Sequence, residues 1–295
     1  MNPDVAFAIW SGERAQRVAA VLDRVMPPAA EPPQALHEAM RYAVLSGGKR
    51  VRALLAYAAG ELAGADPDVV DGAAAAVELI HAYSLIHDDL PCMDDDALRR
   101  GQPSCHIAYG ESMALLAGDA LQALAFEVLA GARLRDAAAQ LALLARGSGS
   151  RGMAGGQAFD LQSTGATLAL AELERMHRLK TGALIRAAVR LGACCGAPMN
   201  AEDSDALERY ASAVGLAFQI VDDVLDVEGT AQSLGKTAGK DASQRKPTYV
   251  SLLGLSAARE RAEALRAEAR AALAGFGAHA RRLGEIADWL TKRSS

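Results

Sequence analysis

The chain has 295 residues, 51% hydrophobic and 23% charged, with a formal net charge of −5, so it can bury a large core. The acidic balance argues against a nucleic-acid binder. The N-terminal stretch lacks the basic flank and apolar run of a secretory leader, and no uncharged apolar segment approaches the roughly 20 residues of a membrane span. Aromatics make up only 4% and runs of valine, isoleucine or threonine are scarce, which favours helix over sheet throughout. No linker is visible, so one domain over 1–295 is expected, in a soluble, cytoplasmic protein. Cys92, Cys105, Cys194 and Cys195 show no CxxC spacing and read as reduced packing residues.

In chain order, helical patterns cover 4–25, 33–46 and 50–63. Asp66 followed by Pro67 reads as an N-cap and first helical position, opening a helix that runs to Leu90, where Pro91 stops it. Helices at 104–131, 134–146 and 169–195 follow, and the Gly/Ser run at 146–156 reads as a bend between helices. Asn200, with Glu202 and Asp203 behind it, opens a helix carrying Leu207, Tyr210, Val214, Phe218, Val221 and Leu225 at spacings of three and four. The neighbouring face holds Gly215, Gln219, Asp222 and Asp226, and a polar face beside an apolar one suggests a cavity wall. Helices at 246–273 and 278–292 complete the pattern. The mixed charges from Arg259 to Arg270 read as a solvated face.

Two acidic clusters stand out, DDLPCMDDD at 88–96 and DDVLD at 222–226, with five and three carboxylates. Such clusters repel themselves unless cations sit between them. Oxygen-only donors suit a hard divalent ion, and Mg²⁺ characteristically bridges carboxylates to a substrate's phosphates. In the first cluster, His81, Leu85 and Asp88 share a helix face. The break at Pro91 lets Asp94 curl back toward Asp88, with Asp89 and Asp95 in support. In the second, Asp222 and Asp226 lie one turn apart, with Gln219 a turn earlier. An EF-hand is disfavoured because its alternating pattern with a central glycine is missing.

Basic residues adjoin both clusters: Lys49, Arg50 and Arg52 in GGKRVR, then Arg99 and Arg100, Lys180 beside Thr181, and Lys236 with Lys240. Together they supply the cations that a diphosphate's oxygens need. GGK at 47–49 is not a P-loop, because Arg50 replaces the required Ser or Thr. A rival reading comes from Glu78 with His81 and Glu174 with His177, two Glu-x-x-His pairs of the kind found in ferritin-like di-iron bundles. It leaves both acidic clusters unexplained.

The strings GGKRVR at 47–52, ELIHAYSLIHDDLPCMDDDALRRG at 78–101, GDAL at 118–121, GGQAFDL at 155–161, KTGALI at 180–185, FQIVDDVLDVEG at 218–229 and GKTAGKD at 235–241 together resemble the polyprenyl synthase family. The likeness is greatest to the bacterial short-chain trans-prenyltransferases of the farnesyl diphosphate synthase type. The resemblance implies an all-α, isoprenoid-synthase-type helical bundle around a central cavity, and a homodimer. It also implies about three Mg²⁺ ions working on isoprenyl diphosphates. The implied reaction joins isopentenyl diphosphate head to tail with dimethylallyl or geranyl diphosphate, giving farnesyl diphosphate, with geranyl or geranylgeranyl diphosphate as alternative products. Carried over by motif, Asp88, Asp94 and Asp222 resemble the Mg²⁺ ligands, with Asp226 a weaker candidate. Arg99, Lys180 and Lys236 resemble the holders of the allylic diphosphate, and Lys49, Arg52, His81 and Arg100 the isopentenyl diphosphate pocket. Thr181 and Gln219 would face the nascent carbocation. A catalytically silent partner subunit should have lost an acidic motif, and a class I terpene cyclase would lack GGKRVR and carry a different second motif.

Tyr83 lies five residues before Asp88, about 7.5 Å along the helix, and is expected to form the floor beneath the growing chain. The four residues between Asp89 and Asp94 resemble the longer spacing of bacterial farnesyl synthases.

Overall fold

The computed structural model describes residues 3–132, 135–166, 168–228 and 246–292. Lys236 and Lys240 lie outside the described residues. The all-α expectation holds: apart from one tiny hairpin, the described elements are helices.

The first three helices are α1 (Pro3–Val25), α2 (Gln34–Leu45) and α3 (Val51–Leu62). Next comes α4 (Pro67–Asp88), opened as expected by Asp66, whose carboxylate accepts the Asp68 N–H at 2.8 Å, with Pro67 at the first helical position. The helix stops at Asp88, two residues before the position read from Pro91, because the residue preceding a proline is pushed out of the helical region. Ala73, Ala74, Ala75, Ala76, Val77, Leu79 and Ile80 of α4 are fully buried, so this helix forms the centre of the bundle. It packs against α3 and against α6 (Glu111–Gly131). Both α4 and α6 are long and apolar enough by composition to cross a membrane, but the apolar part of α4 is mostly interior. Each also carries carboxylates along its length.

Several long helical readings are broken in the structure. The span 104–131 divides into α5 (Cys105–Tyr109) and α6 at Gly110, whose φ is 84°. The bend read at 146–156 is narrower than expected: α7 (Ala137–Ser148) runs into it and α8 (Met153–Ser163) begins inside it. The span 169–195 divides at Thr181 into α9 (Leu170–Lys180) and α10 (Gly182–Cys194). The helix α11 (Ala201–Glu228) is unbroken, and the Asn200 side chain accepts the Asp203 N–H at 2.8 Å, as its N-cap position predicts. The C-terminal part holds α12 (Tyr249–Leu253), α13 (Leu255–Ala272), a 3₁₀ segment (Ala274–Ala280) and α14 (Arg281–Thr291).

Leu98–Arg99 pairs antiparallel with Gln102–Pro103, joined by Arg100 and Gly101 at φ 55° and 76°. That is the double positive φ of a tight hairpin turn, and it is unannounced in the sequence. The charged run of α13 is more than a solvated face: Arg261 reaches Glu174 of α9, while Arg266 and Arg270 both reach Asp288 of α14. Of the four cysteines, all free, Cys105 is buried while Cys92 and Cys194 are exposed, so the packing role read for them fits Cys105 but not that pair.

Candidate active site

A cavity of about 660 Å³ opens between α4, α8, the α9–α10 junction and α11. Its wall contains Asp88 of the first acidic cluster and Asp222 of the second, so the two motifs confront one space. Lys49, Arg52, His81, Tyr83, Arg99, Arg100, Lys180, Thr181 and Gln219 line the same cavity. Met153, Ala154, Ala158, Leu161, Phe218 and Leu225 give it an apolar side. Sequence reasoning therefore gathered residues from five separated segments into one pocket. Asp94 and Asp226 are not among its lining residues, and Asp226 is buried one turn beyond Asp222.

The first cluster is shaped by backbone bonds at the end of α4. The Asp94 N–H donates to the Asp88 carbonyl at 2.8 Å, and the Asp96 N–H to the Asp89 carbonyl at 3.1 Å. The loop thus folds back on the helix end and satisfies its orphan carbonyls, as the Pro91 break suggests. Asp89, read as a support for the Asp88 and Asp94 pair, is engaged by Arg99. It is buried, and both its oxygens accept from the Arg99 guanidinium. Asp89 thereby fixes Arg99, while the hairpin turn at Arg100 aims the two arginines. Asp88 is pushed up to about 6, chiefly by burial and also by its neighbours Asp94 and Asp89, against the pull of Lys180. A carboxyl so placed favours cations beside it.

On the opposite wall Lys180 donates to Asp160 at 2.6 Å, and Lys246 Nζ lies 2.8 Å from Asp94 and 3.6 Å from Asp160. Thr181 donates through Oγ1 to Gln219 Oε1 at 3.0 Å, and Gln219 Nε2 donates to Asp223 at 2.9 Å. The other oxygen of Asp223 accepts the Tyr249 N–H at 2.8 Å. Asp223 is therefore an anchor that orients Gln219. These contacts need α10 and α11 to approach closely, and a Cβ on Gly215 would stand 2.9 Å from the Cα of Gly182.

Burial lowers the affinity of Arg52 for its proton, while Glu78 and Asp222 counter that shift; the Arg52 Nε is buried without a hydrogen bond among the described residues. Burial, then Arg52 and Arg100, hold His81 far below its ordinary value, so its imidazole is neutral near pH 7. Both amide atoms of Gln157 are also buried without a partner among the described residues at the cavity wall.

Sequence reasoning missed Gln157, Asp160 and Lys246. The first two sit in the string GGQAFDL at 155–161, on the helix hidden by the Gly/Ser run. Lys246 stands alone before Pro247 and carries no motif signal. The di-iron reading fails on its partners. Glu78 accepts the Ala53 N–H and pairs with Arg50, and Glu174 pairs with Arg178 and Arg261.

Among the described residues no group of three or more His, Cys, Asp or Glu could cage a metal ion. Asp88 and Asp222 offer oxygen donors to a space also lined by Lys49, Arg52, Arg99, Arg100 and Lys180. That fits an ion such as Mg²⁺, which takes one or two carboxylates and fills its shell with water and substrate phosphates.

The cavity sets charged groups beside apolar ones, and comparison with known proteins identifies the class. The profile of the family described as Polyprenyl synthetase matches residues 33–274, and the chain belongs to that family. It is 52% identical over 241 residues to the farnesyl diphosphate synthase of Escherichia coli strain K12, an alignment covering 80% of this chain and 81% of that one. Among solved structures it matches an FPP/GFPP synthase from Zymomonas mobilis at 40% identity and a TM-score of 0.87, covering 97% of this chain and 99% of that one. A geranyltransferase from Helicobacter pylori complexed with magnesium and isoprenyl diphosphate matches at 33% identity and a TM-score of 0.83, covering 95% of each chain. The isoprenoid-synthase-type fold and the prenyltransferase class expected from the motifs both stand.

Proposed function

We propose that this prenyltransferase condenses isopentenyl diphosphate with dimethylallyl and then geranyl diphosphate, giving farnesyl diphosphate. The observation that carries this reading is that Asp88 and Asp222 line one cavity whose remaining wall is divided between cations and apolar side chains. Diphosphates belong at the charged part, isoprenyl tails at the apolar part.

The allylic carbon–oxygen bond ionises only if charge on the departing diphosphate is neutralised in a water-poor site. Arg99, Lys180 and Lys236 are the protein cations assigned to that diphosphate. Magnesium, about three ions held through Asp88, Asp94 and Asp222, with Asp226 a weaker ligand, would supply further charge neutralisation. Lys49, Arg52, His81 and Arg100 hold isopentenyl diphosphate, His81 as a neutral hydrogen-bonding group. Thr181 and Gln219 present oxygens to the allylic cation. The hydroxyl proton of Thr181 is already committed to Gln219, leaving the hydroxyl's lone pairs available. The double bond of isopentenyl diphosphate attacks the cation, and the released diphosphate takes the proton lost at the end.

The fifteen-carbon product is supported by Tyr83 at the cavity wall and by relatives named farnesyl diphosphate synthase, with geranyl and geranylgeranyl diphosphate as the alternatives. Ile107, Leu115 and Leu116 are about half exposed on α5 and α6. An apolar face of this kind supports a homodimer. The protein is assigned to the cytoplasm. Incubation with Mg²⁺, isopentenyl diphosphate and each allylic primer, followed by chain-length analysis, should yield a fifteen-carbon diphosphate and nothing in EDTA. Failure to form any prenyl product would overturn the reading.

A further inference from the structure

The segment from Lys246 to Tyr249 touches both acidic motifs at once. At one end Lys246 Nζ bonds Asp94 at 2.8 Å and stands 3.6 Å from Asp160, whose Oδ2 also takes Lys180 at 2.6 Å. At the other end the Tyr249 N–H is held by Asp223. Pro247 between them is buried, and Thr248 accepts the Ser251 N–H to start α12. The ammonium of Lys246 is therefore delivered by a short strap pinned to the second motif. Its side chain is 13% exposed, and those of Asp94 and Asp160 are 17% and 6%, so water screens these charges poorly.

Lys246 was invisible to motif reasoning, and no role in the proposed reaction uses it. Its position is nonetheless specific: one ammonium serves a carboxylate of the first acidic motif and the carboxylate that seats Lys180. We propose that Lys246 is a positioning residue, an internal cation that helps neutralise Asp94 and, with Lys180, Asp160 before a divalent ion arrives. An ion binding Asp94 competes with it for that carboxylate. The inference rests on Asp94 being a metal ligand, as assigned under the proposed function.

A competing cation weakens metal binding, so its removal should tighten it. The full-length protein, free of substrate, would be titrated with Mg²⁺ alone and followed by calorimetry and by the metal-induced rise in melting temperature. Lys246→Met is expected to bind Mg²⁺ about tenfold more tightly than wild type and to melt lower in EDTA, because Asp94 then lacks this counterion. Lys246→Arg should stay close to wild type. Lys246→Gln supplies a second neutral variant if the Met variant misfolds. In an Asp94→Asn background the same Lys246 changes should leave Mg²⁺ affinity unaltered, which ties the effect to that pair. Equal or weaker Mg²⁺ binding by the folded neutral variants, or the same gain with Asn at 94, would overturn the inference. If wild type makes product and binds Mg²⁺ while these variants do not differ, only the role of Lys246 falls. If wild type does neither, the proposed function falls with it.

Discussion

Gly156 is packed against the backbone of Lys180: a Cβ on Gly156 would stand 2.0 Å from the Lys180 backbone nitrogen. The contact lets α8 lie against the end of α9, and it sets Asp160, one turn on, where it receives the Lys180 ammonium. The glycine in GGQAFDL is thus a spacing device for a cation of the site. Gly156→Ala should cost about 1–3 kcal/mol of stability, as overpacking does. It should also lower kcat/KM by about a hundredfold through displacement of Lys180. Thermal melts and initial rates check the two parts; a stable variant of undiminished rate would mean that α8 adjusts freely.

Tyr83 is almost completely buried at the cavity wall and stands edge-on to His87, with ring centroids 5.7 Å apart. Under the proposed function, an aromatic held in this way is the floor that stops an apolar chain growing along α4. Tyr83→Ala should shift the product distribution beyond fifteen carbons at similar total turnover, read by chain-length analysis after dephosphorylation. An unchanged profile would remove Tyr83 as the floor.

Much of this site was legible because its chemistry is written in adjacent letters. Asp66 and Asn200 announce their helices by capping chemistry, and the three-and-four spacing of α11 places Gln219 and Asp222 on the cavity face without tertiary information. What could not be read depends on contacts far apart in the chain. Asp89 looks like a partner of Asp88, but the hairpin at 98–103 turns Arg99 back on it, and two-residue strands leave no periodic signal. The break at Thr181 lies within a continuous helical pattern, and the α10–α11 contact places its hydroxyl on Gln219. Lys246 meets Asp94 across 152 positions, a pairing that no local pattern encodes.

His177 is buried against Tyr249, ring centroids 5.6 Å apart and nearly parallel, and neither ring nitrogen has a hydrogen-bond partner among the described residues. Burial, helped by Lys180, holds it down to about 3, whereas an unfolded histidine titrates near 6.5. Between those values the unfolded chain binds a proton that the native state does not, so stability is lost as pH falls below about 6.5. The loss attributable to this residue reaches about 2 kcal/mol at pH 5. His177→Phe keeps an aromatic on Tyr249 and removes the proton linkage. Its stability relative to wild type should therefore grow by that amount between pH 7.5 and 5, measured by denaturant unfolding. Parallel curves for the two proteins would show that His177 titrates normally.

Glu78 settles the di-iron alternative on structural grounds, and its substitution makes the point measurable. Its side chain is 2% exposed and lies 3.5 Å from the Arg50 guanidinium, itself 6% exposed. It also accepts the Ala53 N–H at 3.0 Å, satisfying the first turn of α3 from a neighbouring helix. Arg50 in turn donates to the Val44 carbonyl at 2.7 Å. Glu78 is thus committed to joining α2, α3 and α4 behind the cavity. Glu78→Ala leaves a buried guanidinium without its carboxylate and should cost about 3–5 kcal/mol. Glu78→Gln, which retains an acceptor for Ala53, should cost less. Neither variant should alter bound iron, because wild type is expected to hold none after iron loading. Stoichiometric iron in wild type that disappears in Glu78→Gln would instead make Glu78 a metal ligand and reverse the assignment.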